Sequence, residues 1–134
     1  MEPLESLTKR SNKGVAKLTK NSKIFKTIIA AIQEKKGENI VSLDLRKITE
    51  AVSDFFIICE AGSQPQVRAI ADHVEDKVRE LCGERVFHKE GMENLQWVLI
   101  DYVNVVVHVM LPENRKFYAI EEMWSDAVRA GHDS

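Results

Sequence analysis

Residues 97–110 read WVLIDYVNVVVHVM, two apolar runs joined through Tyr102, Val103 and Asn104. A tight turn there makes a β-hairpin, because side chains alternate between the two faces of a strand and a short loop fixes which positions pair. With a two-residue loop, one face collects Val98, Ile100, Val105, Val107 and Val109. The other collects Trp97, Leu99, Asp101, Val106, His108 and Met110. The first set is pure core. The second mixes large apolar groups with an acid and an imidazole, a makeup poor for burial and suited to docking another macromolecule.

Working outward, Ile24, Phe25, Ile28, Ile29 and Ile32 recur at helical spacing after Asn21 and Ser22, either of which can cap, and Gly37 ends that helix. Residues 39–45 alternate as a strand with Val41, Leu43 and Leu45 on one face. Residues 54–60, DFFIICE, are apolar on both faces and read as a central strand. The segment AGSQPQ leads into a second helix with Val67, Ile70, Ala71, Val74, Val78 and Leu81 on one stripe, capped by Ser63 or Gln64 and ended by Gly83. A short strand over 85–89 precedes the hairpin. Pro112 opens a third helix in which Phe117, Ile120, Met123 and Trp124 share a side. The expected fold is α/β (α+β): about three helices and a mixed five-stranded sheet, with the helices crowding one face and the polar side of the hairpin partly open. The expected organisation is a basic tail over 1–21, one domain over 22–126 and a frayed end over 127–134.

The net charge of −2 hides a split. Residues 1–23 carry six Lys/Arg against Glu2 and Glu5, a net of +4, leaving −6 for residues 24–134. An acidic body is a poor ligand for phosphate backbones, whereas the tail offers a weak rRNA contact. The start lacks the apolar stretch of a secretory signal, no run of about 18 apolar residues stands out, and the two cysteines show no CxxC spacing. A cytoplasmic setting, without membrane attachment, is expected.

Enzymatic readings find little support. The Gly62-Ser63 turn before a helix could cradle an anion, as in nucleotide-binding or nucleotidyltransferase enzymes, and this is the alternative function. Such chemistry needs paired carboxylates on a neighbouring strand, yet Asp44 is followed two residues on by Arg46, Asp54 by Phe56 and Asp101 by Val103. His73, His88 and His132 lack spaced metal-ligand partners, Ser63 has no evident base, and Cys59 sits among apolar neighbours that leave a thiol inert. No cofactor and no metal site is expected.

The blocks DFFIIC, AGSQPQVRAIADHVEDK, WVLIDYVNVVVHVM and RKFYAIEEMW, in this order and spacing over residues 22–126, resemble the Iojap or ribosomal silencing factor family. The resemblance implies a nucleotidyltransferase-like fold without catalytic carboxylates. It also implies a factor that binds the large ribosomal subunit through its ribosomal protein number fourteen, blocks joining with the small subunit and damps translation when nutrients fall. It centres the partner surface on Trp97 and Asp101, with Tyr102 and His108 at further motif positions. Leu99, Asn104, Val106 and Met110 complete the candidate surface, which is also a candidate homodimer face. The family usually writes Gly-Asp where this chain has Val103-Asn104. Because Val tolerates φ > 0 badly, a different turn type is expected here.

Overall fold

The computed structural model describes residues 22–48, 51 and 53–133. The basic tail, with the rRNA contact expected of it, lies outside these residues.

Helix α1, Lys23–Glu34, buries Ile24, Phe25, Thr27, Ile28, Ile29, Ala31 and Ile32 on one side. Ser22 stands at its N-cap, but its hydroxyl makes no capping bond. Strand β1, Glu38–Asp44, runs antiparallel to β2, Phe55–Glu60, which is buried on both faces as a central strand should be. Helix α2, Gln64–Cys82, starts where expected: Ser63 Oγ accepts the Gln66 N–H at 3.3 Å, Pro65 lies in the first turn, and Gly83 closes the helix at φ 66, a left-handed position that glycine adopts without a Cβ clash. Leu81, expected on the buried stripe, is 51% exposed, because the half-buried Cys82 takes the inward position of the last turn.

Strand β3, His88–Glu90, pairs antiparallel with β4, Trp97–Asp101, and β4 forms the hairpin with β5, Val105–Met110. Strand β5 lies parallel to β2, which makes the sheet mixed. After it the chain departs from expectation twice. The third helix breaks in two, α3 over Pro112–Tyr118 and α4 over Ile120–Met123, around Ala119 at φ 47. Ile120 is buried and Trp124 half-buried, but the break turns Phe117 and Met123 outward at 81% and 61% exposed. Residues 127–134, expected to fray, contain a sixth strand, β6 over Val128–Gly131, paired antiparallel with β1. The sheet order is β3-β4-β5-β2-β1-β6, six strands in place of five.

Residues past β6 hold it in place through backbone and side-chain bonds. His132 N–H donates to Ile40 O, the Ile40 N–H donates to Asp133 Oδ1, Gln33 Nε2 donates to His132 O, and the His132 ring meets Ser42 Oγ at 2.8 Å. A four-residue VRAG strand carries no apolar alternation, so its pairing rests on backbone and latch bonds that periodicity cannot register.

Nor do the helices crowd one face. Helices α1 and α2 pack over Phe55, Ile57, Cys59, Val98, Ile100, Val105, Val107 and Val109. On the opposite face Val41, Leu43, Leu45, Phe56, Ile58, Trp97, Leu99, Val106 and Met110 form a second core with Ile120, packed against Ile48, Ala51, Tyr118, Trp124 and Ala127. At about 1.5–3 kcal/mol per fully buried large aliphatic or aromatic side chain, both layers are major stabilising terms.

Candidate functional site

The hairpin pairs Trp97 with Met110, Leu99 with His108 and Asp101 with Val106, and the Tyr102 N–H donates to Val105 O at 2.9 Å. The loop is Val103-Asn104, so the two-face division expected from alternation holds. The expected openness does not. Trp97 is 6% exposed, Asp101 2%, and Leu99, Val106, His108 and Met110 are fully covered. Alternation says which residues share a face but not which element lies over it, and here the cover comes in part from the C-terminal segment. Tyr102, also buried, points to the other layer, against the core under α1 and α2. Of the eight candidate surface residues, only Asn104, at the turn, is more than marginally accessible.

Trp97 and His108 form a hydrogen-bonded pair inside the second core. Trp97 Nε1–H donates to His108 Nδ1 at 3.0 Å. That bond assigns the imidazole proton to Nε2, since a neutral ring has one donor and one acceptor nitrogen. Nε2 is buried with no hydrogen-bond partner among the described residues, and burial lowers the His108 pKa to about 3, so the ring is neutral at physiological pH. An orphaned buried donor costs about 1–3 kcal/mol. The Phe56 ring meets His108 edge-on at 4.7 Å and Trp124 at 6.0 Å, and Trp97 leans on Tyr118 at 4.7 Å. Trp124 Nε1 is a second buried donor without a partner among the described residues.

Asp101 works on the turn. Its Oδ1 accepts the Val103 N–H at 2.7 Å, and Ser53 Oγ donates to Val103 O at 3.0 Å. Val103 sits at φ 75 and the Asn104 N–H returns to Tyr102 O, a three-residue turn of the rare positive-φ hand. The expectation of another turn type is therefore overturned: valine takes the conformation in which glycine is at ease, and flanking side chains hold it there. Asn104 Nδ2 donates to Asp54 Oδ2 at 2.9 Å, while its carbonyl accepts the N–H groups of Asp54 and Phe55. The turn is thus tied to the start of the central strand.

At the Gly62-Ser63 turn three backbone donors are taken by the start of the helix itself. Gly62 N–H goes to Gln66 Oε1 at 2.8 Å, Gln66 N–H to Ser63 Oγ and Val67 N–H to Ser63 O. His73 pairs with Glu34 at 2.6 Å, joining α1 to α2 and lowering the Glu34 pKa chiefly through that hydrogen bond. His88 lies beside Glu90 at 3.4 Å. Burial pushes the Cys59 thiol up to about 12, far from a nucleophile's range. Among the described residues no three His, Cys, Asp or Glu side chains gather as a metal site requires, and no helix is long and apolar enough to cross a membrane.

Sequence reasoning missed Arg115. Its buried guanidinium donates to Glu121 Oε1 at 2.8 Å and Oε2 at 3.2 Å and to Asn39 O at 2.6 Å, with Glu60 at 3.4 Å. Glu121, its pKa lowered mainly by the Arg115 bond, also pairs with Arg129 of β6 at 3.0 Å. An Arg and a Glu six residues apart across a helix break carry no periodic signal; the block RKFYAIEEMW contains both, but nothing in its spacing marks the junction of α3, α4, β6 and the ends of β1 and β2.

These features define a small mixed α/β domain in which Asp101, Ser53 and Arg115, among the described residues, serve the hairpin turn and the C-terminal cover. The chain belongs to the ribosomal silencing factor family, whose model, described as "Ribosomal silencing factor during starvation", matches residues 19–134. It is 39% identical over 107 residues to the ribosomal silencing factor of Halalkalibacterium halodurans, covering 80% of this chain and 90% of that one. To the factor of the same name from Bacillus subtilis it is 40% identical over 110 residues, covering 82% and 92%. A crystal structure of a Chromobacterium violaceum protein superposes with a TM-score of 0.72 at 40% identity, covering 76% of this chain and 83% of that one. Both relatives from Halalkalibacterium halodurans and Bacillus subtilis are named as silencing factors.

Proposed function

We propose that this protein silences translation by binding the large ribosomal subunit through its ribosomal protein number fourteen, so that the small subunit cannot join, and that it does so mainly when nutrients are limiting. The observation that carries this reading is the match of residues 19–134 to a family described by silencing during starvation. The −6 net charge of residues 24–134 supports it, since an acidic body is steered towards a basic partner. The partner surface centres on the hairpin face of Trp97, Leu99, Asp101, Val106, His108 and Met110, with Asn104 at its accessible end and Tyr102 supporting the turn from the opposite layer. The basic tail adds a weak rRNA contact.

The test is sedimentation of the protein with purified large subunits, then with both subunits together. Co-sedimentation with the large subunit and a dose-dependent fall in joined ribosomes are expected. A protein that leaves subunit joining unchanged at saturating concentration, or that rides on the small subunit, would end this reading.

A further inference from the structure

The segment over the Trp97 face is held lightly for a piece of core. Of the residues of α3 and α4, only Arg115 and Ile120 are buried. The joint between the two helices is Ala119 at φ 47, a left-handed position an L side chain occupies at a cost. Beneath the segment His108 Nε2–H, and within it Trp124 Nε1–H, are buried donors lacking acceptors among the described residues, and on its outside Phe117 and Met123 lie exposed. Its polar attachment to the rest of the fold is concentrated at one place, where Arg115, braced by Glu121 of the same segment, holds Asn39 and Glu60, and Arg129 of β6 reaches Glu121. A short segment with little burial, a strained joint and one latch is what the low-stability end of a fold consists of.

We infer that residues 112–124 are a hinged lid that closes the hairpin face in the free protein and lifts when the partner docks, letting His108 Nε2–H meet a backbone carbonyl of a basic protein surface. The inference rests on the reading that this face meets a ribosomal protein, and adds the regulation of that site: the closed lid lowers apparent affinity by the fraction of molecules that are open. The orphaned donor favours a partner segment with free carbonyls, and the exposed Phe117 and Met123 give the lifted lid apolar groups to lay against that partner.

Two substitutions bias the lid in opposite directions. Glu121→Gln weakens the latch by removing the carboxylate charge that meets Arg129 of β6 and that orients Arg115 towards Asn39 and Glu60. Ala119→Gly removes the clash at the left-handed joint and favours the closed form. Amide hydrogen exchange of the free proteins and affinity for purified large subunits are measured side by side. Expected for Glu121→Gln are faster exchange confined to residues 112–124 and affinity raised about fivefold; for Ala119→Gly, slower exchange there and affinity lowered about threefold. If Glu121→Gln does not fold, Arg129→Ala loosens the exposed end of the same latch and takes its place. Exchange of residues 112–124 only together with the whole sheet overturns the lid, and so does faster exchange that leaves affinity unchanged. Failure of the wild-type protein to bind large subunits at all is a different result: it removes the functional reading and the lid's role with it.

Discussion

On one face of the sheet Phe25, Ile28, Ile32, Val67, Ile70, Val74 and Val78 project from two helices of 12 and 19 residues. On the other, Tyr118, Ile120 and Trp124 come from helices of 7 and 4 residues and the turn that follows. The strands beneath are about equally buried on both sides; the covers differ. The long helices supply regular stripes with Ser63 and Gly83 at the ends of α2, whereas the short ones depend on Arg115 and on Tyr118 packing against Trp97. A face that must be presented to a partner is better served by the second kind of cover, because uncovering it does not require dismantling either long helix.

The largest expected effect tests whether Trp97 is core in its own right. Trp97→Ala should cost about 3–5 kcal/mol in denaturant unfolding, from the cavity and from stranding His108 Nδ1. Ile120→Ala, equally buried but carried by the short cover, should cost clearly less than Ile28→Ala under α1, because the cover can open before the rest unfolds. Equal losses at Ile120 and Ile28 would erase the difference between the two faces.

Acid should act mainly on the short-cover side. The His108 pKa is lowered to about 3 from an ordinary 6.5 by burial. The unfolded chain therefore takes up a proton below pH 6.5 that the folded one refuses, and the stability from the neutral ring, complete above pH 6.5, drains away down to pH 3. The slope is about 1.4 kcal/mol per pH unit, or about 2 kcal/mol between pH 6.5 and 5. Glu121, lowered below 4.5 by Arg115, adds its own loss only in the more acid range. His108→Gln retains an acceptor for Trp97 Nε1–H but does not titrate. Its unfolding free energy, followed from pH 7 to 5, should show that much less decline than the wild type; matching slopes would mean that His108 is reached by water.

What the sequence showed and what it hid divide along the same line. The hairpin register, the central strand and the ends of α2 were legible because each follows from a local rule: period-two alternation, apolarity on both faces, Ser63 before Pro65 and Gly83 after the stripe. The shared face was legible too, since Trp97, Leu99, Val106, His108 and Met110 do lie on one side of the hairpin. Their burial was hidden, because it depends on a helix break at an alanine and on an Arg115–Glu121 contact that no spacing rule anticipates. The sixth strand was hidden for a similar reason: VRAG is held by bonds from His132 and Asp133 to β1, which only the folded chain brings together.

On the long-helix side a smaller test separates a structural turn from a ligand site. Ser63→Ala removes the Gln66 N–H acceptor and should lower stability by about 1 kcal/mol without changing large-subunit affinity. A loss of affinity beyond about tenfold in a folded variant would restore the Gly62-Ser63 turn as a functional element.

The smallest effect has the opposite sign and lies at the turn where both faces end. Val103 at φ 75 is held by Asp101 Oδ1 on its N–H and Ser53 Oγ on its carbonyl, so the strain is stored, not relaxed. Val103→Gly frees the turn from a β-branched side chain in a left-handed region and offsets that gain with the greater freedom of glycine in the unfolded chain, leaving a net stabilisation of about 0.5–1 kcal/mol. Asp101→Asn should then matter less in the Val103→Gly background than in the wild type, because the carboxylate no longer has to restrain valine. A double-mutant cycle read by thermal unfolding measures that coupling. Strict additivity would show that Asp101 does not stabilise the turn through Val103, and would leave its carboxylate as the better candidate for a direct contact with the partner.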